Sequence, residues 1–398
     1  MRRVTSMTLE AEPACPTPAG IVERGGSRGP LSVERRLVRD IPRESWDALA
    51  ARNPWSTPFS SWAFQRAWWD AYAANAHDET VVVCPSSPGG EPIAIVPLMH
   101  RHEVEPGDEL TQTKLRHGGS PDLTPVPPTA TAIFFGASYH ADYATILADP
   151  ADLPRVADAV AASLADRPDL EPWDVVDLRR LRCGDPAADA LAGGLRAHAA
   201  SEGWTVDVER EDVCPVVTLP VGADIETYLG SLSKKTRHEI RRKVRRAEGV
   251  GPIRLEASAD PLADLETFIE LHQKRWGVDG LFPDTPGGDQ SRVLVGRMFE
   301  LCGADGPIRL SFLRVGDKRI AAGIHIEDAN GYQYYNAGID PDAFDLSPGV
   351  LLVYAYIRQA LERGISRFDF LRGNEPYKYE WGAVDEPIQR ILVRRWNG

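Results

Sequence analysis

The stretch GIDPDAFDLSPGVLL, residues 338–352, decides how the second half of the chain is built. A strand-like segment ends at Gly338 and Ile339, a short loop follows, and Ser347-Pro348-Gly349 opens a helix. Proline suits a first helical turn because its missing N–H would have no partner there. Gly349 lets another molecule approach the backbone, and free N–H groups at a helix start attract phosphate. The turn therefore suits a pyrophosphate-bearing ligand, although an ordinary helix start capped by Ser347 explains the same residues.

Strand and helix patterns surround this turn in a regular order. Residues 308–340 predict three antiparallel strands with tight turns at Gly316-Asp317 and Asn330-Gly331. The segments 365–373 and 388–396 predict two later strands. In the first half, strands are predicted at 80–84, 92–100, 131–136 and 173–178, and helices at 152–166 and 185–203. In each half, the patterns thus predict helices that flank a mostly antiparallel sheet, followed by a β-α-β step.

This order predicts an α+β fold of two domains with similar architecture. At 398 residues the chain exceeds one typical domain. Residues 1–30 are rich in Pro, Gly, Ser and charge and predict a disordered tail. We expect an N-terminal domain over 31–220 and a C-terminal domain over 221–398, without a sequence repeat of fixed period.

Composition and charge narrow the class of protein. The chain is 43% hydrophobic and 26% charged, which is typical of a soluble protein. Its net charge of -13 argues against nucleic-acid binding by the surface as a whole. No stretch approaches the roughly 20 apolar residues of a membrane-spanning helix. The five cysteines are scattered without a CxxC pair and predict reduced thiols in a cytoplasmic protein.

One segment opposes the acidic balance. Residues 234–246 carry eight lysines and arginines against Glu239 alone among acids. Thr236, Ile240 and Val244 recur every four residues, which predicts a helix with one buried stripe and a cationic remainder. A solvated charged face is the usual explanation, but such a field also attracts an anionic ligand. The candidate substrate- or anion-binding residues are Lys234, Lys235, Arg237, Arg241, Arg275 and Trp276.

The segment FDFLRGNEPYKYEWG, residues 368–382, places polar groups just beyond a predicted strand. Glu375 is a candidate general base, and Tyr377 or Lys378 can donate a proton or stabilise an oxyanion. An exposed, solvated loop explains this stretch nearly as well. No GxxxxGK[ST], GxSxG, HExxH or GxGxxG motif occurs, and His100 and His102 lack an evident third ligand, so we predict no metal.

Taken in order, five segments resemble the GNAT-fold acetyltransferase domain of the CelD/BcsL type, which is distantly related to the FemABX peptidoglycan aminoacyltransferases. They are YLGSLSKKTRHEIRRKVRRAE, LHQKRWG, KRIAAGIHI, YYNAGIDPDAFDLSPGVLL and GISRFDFLRGNEPYKYEWGA. The resemblance is dense over residues 220–385 and looser in the first half. It implies two tandem GNAT-like domains, with an acyl donor bound in the second.

The resemblance also implies where the donor lies. Acetyl-CoA or another acyl-CoA would place its thioester between two splayed central strands and its pyrophosphate at the next helix start. Most GNAT enzymes have Arg/Gln-x-x-Gly-x-Gly/Ala at that start, whereas this chain has DLSPGV. The candidate donor-binding residues are Leu346, Ser347, Gly349, Val350 and Arg372.

A direct transfer mechanism follows from the resemblance, in which an acceptor amine attacks the thioester without a covalent enzyme intermediate. Glu375 is the expected base, and Tyr377 or Tyr335 the acid. Lys378, which matches a lysine of the Fem-type relatives, is expected to stabilise developing charge. His325, on a central strand, is an alternative base, although a packed histidine is the simpler interpretation.

Three functions remain open at this stage. The first is an acyl-CoA-dependent N-acyltransferase, with a small molecule or a cell-envelope or polysaccharide precursor as acceptor. The second is a Fem-like transferase that takes its acyl group from an aminoacyl-tRNA, with the basic helix as the RNA contact. The third is a non-catalytic GNAT-like binding subunit of exopolysaccharide assembly. Acetyl-CoA binding would support the first, and steeply salt-dependent tRNA binding the second.

Overall fold

The structure is a computed structural model that describes residues 29–74, 76–86, 90–102, 123–168, 170–303, 305–328 and 331–395. Nearly all of the predicted tail, and Asn330 of one predicted turn, lie outside these ranges. The helices of the described chain are α1 (Arg43–Arg52), α2 (Trp62–Tyr72), α3 (Leu153–Ala165), α4 (Pro186–Glu202), α5 (Ile225–Ser231), α6 (Lys234–Glu248), α7 (Leu265–Trp276), α8 (Pro286–Cys302), α9 (Pro348–Glu362) and α10 (Pro376–Glu380). The strands are β1 (Leu31–Arg35), β2 (His77–Asp78), β3 (Val81–Pro85), β4 (Ala94–Val96), β5 (Leu98–Arg101), β6 (Ala132–Phe135), β7 (Leu147–Ala148), β8 (Val175–Arg182), β9 (Trp204–Thr218), β10 (Ile253–Ala257), β11 (Ile308–Val315), β12 (Lys318–Asp328), β13 (Gly331–Ile339), β14 (Arg367–Asp369) and β15 (Val384–Arg395).

Most strands join one large mixed sheet. Its order is β10-β11-β12-β13-β14-β9-β15-β8-β6-β5-β2, and β1-β3-β4-β7 form a smaller sheet. Helices pack on the faces, so the predicted α+β class is confirmed. The large sheet is continuous across residue 220, and β15 lies between β9 and β8. The division into domains at residue 220 therefore remains a prediction.

Each half contains a parallel pair of strands joined through a helix. In the first half β6 pairs with β8, with α3 between them in the chain. In the second half β13 pairs with β14, with α9 between them. Parallel neighbours require such a crossover, and the helix then packs on the sheet.

Local sequence explains how α9 begins and ends. Ser347, with φ 59°, adopts a left-handed conformation just before Pro348, which occupies the first helical turn. The helix ends before Gly364, which has φ 71°. Glycine adopts this left-handed backbone conformation without the strain that a residue with a side chain would have there. Leu351, Tyr356 and Ile357 are buried against the sheet. The sequence prediction for this helix is confirmed.

Three apolar clusters hold the layers together. One lies around α9, and a second packs α3 and α4 against the sheet of the first half. The third joins the halves, since it includes Trp68 and Phe64 of α2 together with Phe268 of α7 and Met298 of α8. The two halves are thus packed together and can form a site between them.

Two simpler predictions have mixed outcomes. Cys84, Cys214 and Cys302 are free thiols, but Cys183 is disulfide-bonded, so the prediction of reduced thiols is wrong for that residue. Among the described residues, the structure contains no helix with the length and apolar character needed to cross a membrane.

Candidate active site

The central feature of the second half is the point where β13 and β14 separate. They pair only through Tyr332 with Phe368 and Gln333 with Asp369. Beyond these pairs β13 continues along β12, whereas the other chain turns away after Asp369. A register shift opposite Ile324 and His325 leaves Tyr335 as an extra residue in β13. Such bulges often redirect side chains beside functional sites.

A cavity of about 490 Å³ fills the separation. Its wall on one side of the sheet includes Gly349 and Val350 of α9 and Lys243 of α6, together with Tyr334 of β13. On the other side lie Tyr335 of β13, His272 of α7 and Asp142 of the first half. The cavity therefore passes between the strands and reaches both faces of the sheet. Two reactants can approach each other there from opposite faces.

The start of α9 forms one end of this cavity. A Cβ added at Gly349 would have no atom within 4 Å, so the backbone there is open. The first turn carries no acidic residue, and its N–H donors are among those a helix cannot satisfy itself. Arg246 Nη2 donates to Ser347 Oγ over 3.2 Å, which brings a cation to this end. Gly349 and Val350 thus line the cavity, whereas Leu346 is buried just before the turn.

The basic helix contributes differently from the prediction. Lys243, which was not selected from the sequence, lines the cavity, while Lys234, Lys235, Arg237 and Arg241 are not among its lining residues. Arg237 Nη1 donates to the Gly230 carbonyl (2.8 Å), and Arg241 forms an ion pair with Glu226 (2.6 Å). The four selected residues therefore flank the site. The four-residue spacing of Thr236 and Ile240 could have identified the side of α6 that faces the cavity, because both residues line it together with Lys243.

Lys378 is buried and holds the turn that follows β14. Its Nζ donates to the carbonyl oxygens of Leu371, Arg372 and Gly373 over 3.1, 2.9 and 2.8 Å. It also lies 2.9 Å from Glu375 Oε2. Leu371 has φ 57°, a conformation that costs about 1–3 kcal/mol for a residue other than glycine and persists only where neighbours hold it. Because all three ammonium protons are engaged, the geometry favours a positioning role for Lys378.

Glu375 and Tyr377 lie beside that lysine at the cavity wall. Glu375 is exposed and precedes α10, and its carboxylate reaches Lys378. The Tyr377 ring packs edge-on against Phe370 with centroids 5.8 Å apart. Burial, with a smaller contribution from Glu375, raises the pKa of Tyr377 above its ordinary value. Tyr377 therefore stays protonated near neutral pH and can donate a proton.

The other predicted acid and base occupy different surroundings. Tyr335 lines the cavity, but its hydroxyl already donates to the His140 carbonyl over 3.1 Å. His325 is buried between Tyr332 and Tyr356, with ring centroids 4.9 and 4.8 Å away, and is not among the cavity-lining residues. Burial, with nearby Arg309 and Arg363, lowers its pKa to about 3. The structure thus separates His325 from the other candidates.

Arg372, Arg275 and Trp276 belong to the face shared with the first half. Arg372 Nε donates to Asp142 Oδ1 over 3.1 Å, and its side chain is only 6% exposed. Arg275 stacks over the Trp276 ring at 4.8 Å, and Trp276 Nε1 donates to the Ala337 carbonyl. All three line the cavity. Asp142 lies far from them in sequence, and no local motif marks it.

The described residues contain no group of three or more His, Cys, Asp or Glu side chains placed to hold a metal ion. The polar groups that line the cavity instead include carboxylates, tyrosine hydroxyls, two arginines, two lysines and a helix start. They can bind an anionic donor, position an amine and move protons.

Comparisons with known proteins agree with this geometry. Residues 234–379 match the family described as the acetyltransferase (GNAT) domain. A search of curated proteins finds no match. The crystal structure of FemX superposes with a TM-score of 0.56 at 11% identity, over 88% of this chain and 96% of that one.

Two further solved structures resemble the chain at lower scores. One is the C-terminal domain of a putative lysylphosphatidylglycerol synthetase from Agrobacterium fabrum, with a TM-score of 0.45 and 13% identity over 89% of this chain and 91% of that one. The other is a tandem GNAT protein from the clavulanic acid biosynthesis pathway, with a TM-score of 0.42 and 8% identity over 92% and 98%. Residues 234–379 of the C-terminal half carry the GNAT acetyltransferase domain of an acyltransferase, and the arrangement of the chain as two tandem GNAT-like domains remains a prediction.

Proposed function

We propose that the protein is an acyl-CoA-dependent N-acyltransferase of the CelD/BcsL type. The observation that carries the proposal is the opening between β13 and β14, which leads directly to the start of α9. A thioester fits between the separated strands, and a pyrophosphate meets the helix start. The acceptor is a small molecule or an envelope or polysaccharide precursor that bears an amine.

The donor end of the cavity combines three features that favour a pyrophosphate. The backbone at Gly349 is open, the α9 dipole places partial positive charge there, and Lys243 and Arg246 approach from α6. Each feature favours negative charge at the same place. Ser347 and Val350 complete the contact surface, whereas Leu346 supports the turn from below.

The chemistry is a direct transfer. The acceptor nitrogen attacks the thioester carbonyl, a C–N bond forms, and the C–S bond breaks. Glu375 takes the proton that the amine loses, and Tyr377 supplies a proton to the departing thiolate. Lys378 holds the turn that presents both groups. Tyr335, on the other face, positions the acceptor.

The test is acetyl-CoA binding by the full chain and by two glycine variants. Acetyl-CoA at 100 times its dissociation constant should stabilise the wild type by about 2.7 kcal/mol in thermal unfolding. Gly349→Glu should weaken binding at least tenfold, because its carboxylate lies where the pyrophosphate binds yet suits a helix start. Gly193→Glu is the matched control, since Gly193 also lies in a helix with open space around it but is not among the cavity-lining residues.

Several outcomes would contradict the proposal. Absence of stabilisation by acetyl-CoA and longer acyl-CoAs would overturn it, as would equal affinities of the two variants. Binding of aminoacyl-tRNA with a steep salt dependence, without any response to acyl-CoA, would support the Fem-like alternative instead. Binding of neither donor would support a non-catalytic role.

A further inference from the structure

The face of the cavity opposite α9 contains a buried guanidinium that is only partly used. Arg372 has five N–H donors, and the structure pairs one of them, Nε, with Asp142. Its Nη1 is buried without a hydrogen-bond partner among the described residues. A buried N–H without an acceptor is costly, so such a group usually has a missing partner.

The position of Arg372 identifies the kind of partner. Asp142 occupies the Nε side of the guanidinium of this cavity-lining residue, and the Nη1–Nη2 edge stays unpaired at Nη1. That edge presents two parallel N–H groups, which match the two oxygens of a carboxylate. The donor pyrophosphate is expected on the other face, at α9. The free edge therefore belongs to the acceptor.

The surroundings keep Arg372 in place for this role. Asp142 belongs to the first half, so the ion pair spans the two halves at the cavity wall. The carbonyl of Arg372 also accepts a hydrogen bond from Lys378, which holds the backbone beneath it. A side chain fixed at both ends loses little freedom when it binds a ligand.

We propose that the acceptor is an amine that also bears a carboxylate, such as an amino acid, and that Arg372 binds this carboxylate while Asp142 positions the guanidinium. The inference rests on the proposed acyl-CoA-dependent function and reassigns Arg372 from the donor to the acceptor. It predicts that an acceptor whose carboxylate is replaced by an uncharged carboxamide is acetylated with a lower kcat/KM.

The experiment compares matched acceptors. The twenty amino acids, each beside its carboxamide, are offered to the wild type with radiolabelled acetyl-CoA. At least one amino acid should be acetylated with a kcat/KM at least tenfold above that of its carboxamide. In Arg372→Met this preference should vanish through a higher KM for the acid, while turnover of the carboxamide persists. Arg372→Lys, which keeps the charge but not the two parallel donors, should retain part of the preference.

A matched control separates binding from structure. Arg297 also pairs across the halves, with Asp70 at 2.7 Å, but it lies outside the cavity lining. Arg297→Met should leave the acid-to-carboxamide preference unchanged. Acetyl-CoA binding is measured for every variant and should be unaffected.

Four results would overturn the inference. Two concern the wild type: equal kcat/KM for amino acids and their carboxamides, or no acetylation of any amino acid by a protein that binds acetyl-CoA normally. Two concern Arg372→Met: an equal loss of kcat/KM for the acid and the carboxamide, or an unchanged preference for the acid. Failure of acetyl-CoA binding itself would instead overturn the proposed function.

Discussion

Each half contains a segment that runs from a buried aspartate to an acidic residue and a proline at a helix start. In the first half β8 runs through Asp177 to Gly184-Asp185-Pro186, and in the second β14 runs through Asp369 to Asn374-Glu375-Pro376. Both segments contain a residue other than glycine at positive φ, Arg180 at 70° within β8 and Leu371 at 57° just after β14. Both end in an acidic residue and a proline that open a helix.

The chemical difference lies in what fills the turn. Asp185 is buried and accepts from the Ala187 N–H, whereas Glu375 is exposed and pairs with Lys378. In the first half the chain after β6 returns to β8, since the Ala144 N–H donates to the Arg180 carbonyl. In the second half β13 and the chain after β14 separate around the cavity. The segment from Asp177 to Pro186 is closed by packing, and we call it the closed copy. The segment from Asp369 to Pro376 lies beside the separated strands and carries charged side chains, and we call it the open copy.

The largest effect is expected from breaking the closed copy. Asp177 is fully buried between Arg179 and Arg390, with bonds of 3.0 and 2.7 Å. Asp177→Asn should lower the free energy of unfolding by about 3–5 kcal/mol, because Arg179 and Arg390 lose the buried carboxylate that they share. Urea denaturation measures this. Asp207→Asn, which breaks the exposed pair with Arg394, should cost only about 0–1 kcal/mol, and equal losses would contradict the distinction.

In the open copy, Tyr377→Phe should lower kcat about 100-fold and leave acyl-CoA affinity unchanged, because a general acid contributes at least that much. The raised pKa of Tyr377 keeps the acid protonated, so its activity is lost only as the pH rises through a value above 10. The wild-type kcat should therefore show no basic decline below pH 10 from this residue. Tyr379→Phe is the control, since Tyr379 is not among the cavity-lining residues and its hydroxyl donates to Asp385. Similar losses in both variants would exclude the assignment.

Lys378→Ala makes the open copy resemble the closed one, where Ala188 occupies the matching position. The turn at Leu371–Gly373 would lose three hydrogen bonds, and we expect kcat/KM to fall about 100-fold through misplacement of Glu375 and Tyr377. Steady-state kinetics measure the loss. Lys318→Ala removes an exposed lysine paired with Asp340 and should have little effect. Full activity of Lys378→Ala would show that the turn holds without the lysine.

His325 provides a pH-dependent test of the buried sheet beside the open copy. Its pKa is about 3 in the folded protein, below the ordinary 6.5. As the pH falls below 6.5 the unfolded chain binds a proton that the folded chain does not, so stability is lost. Between pH 7 and pH 5 this loss should be about 2 kcal/mol, and His325→Phe should abolish it while keeping activity. The control is His238→Gln, at an exposed position, which should retain the wild-type pH dependence. If His325→Phe lost activity, His325 would again be a candidate for the general base.

The smallest effects should come from the flanking cations. Lys234→Ala and Lys235→Ala change residues outside the cavity lining, so each should alter acetyl-CoA affinity by less than about threefold at physiological salt. Lys243→Ala changes a lining residue and should weaken binding more. Isothermal titration gives the three constants. A larger loss at Lys234 than at Lys243 would contradict the orientation of α6.

The sequence predicted the features that depend on local order and on periodicity. The hairpin strands β11 to β13, the start of α9 at Pro348 and the strand before Glu375 all follow from such patterns, and so does the charge of α6. An exposed loop was one interpretation of the segment after Glu375, but this segment forms the short helix α10, and Lys378 ties it to the preceding turn.

The parts that depend on distant contacts were not predictable. Asp142 reaches Arg372 across 230 positions, and Lys243 differs from its cationic neighbours only through the rotation of α6. The sequence left His325 open as a base or as a packed histidine, and its contacts with Tyr332 and Tyr356 depend on the tertiary structure. Likewise, the placement of β15 in the sheet of the first half has no local signal.

That placement of β15 has a consequence for how the protein is made. While the ribosome extends the chain, β8 has an open edge that, among the described strands, β15 alone fills, and β15 follows the other described elements of the second half. The first half therefore emerges with an unfinished sheet whose exposed edge is prone to pair with other chains. We expect the two halves to complete folding together, so the active cavity forms only when the late strand has been inserted between β9 and β8.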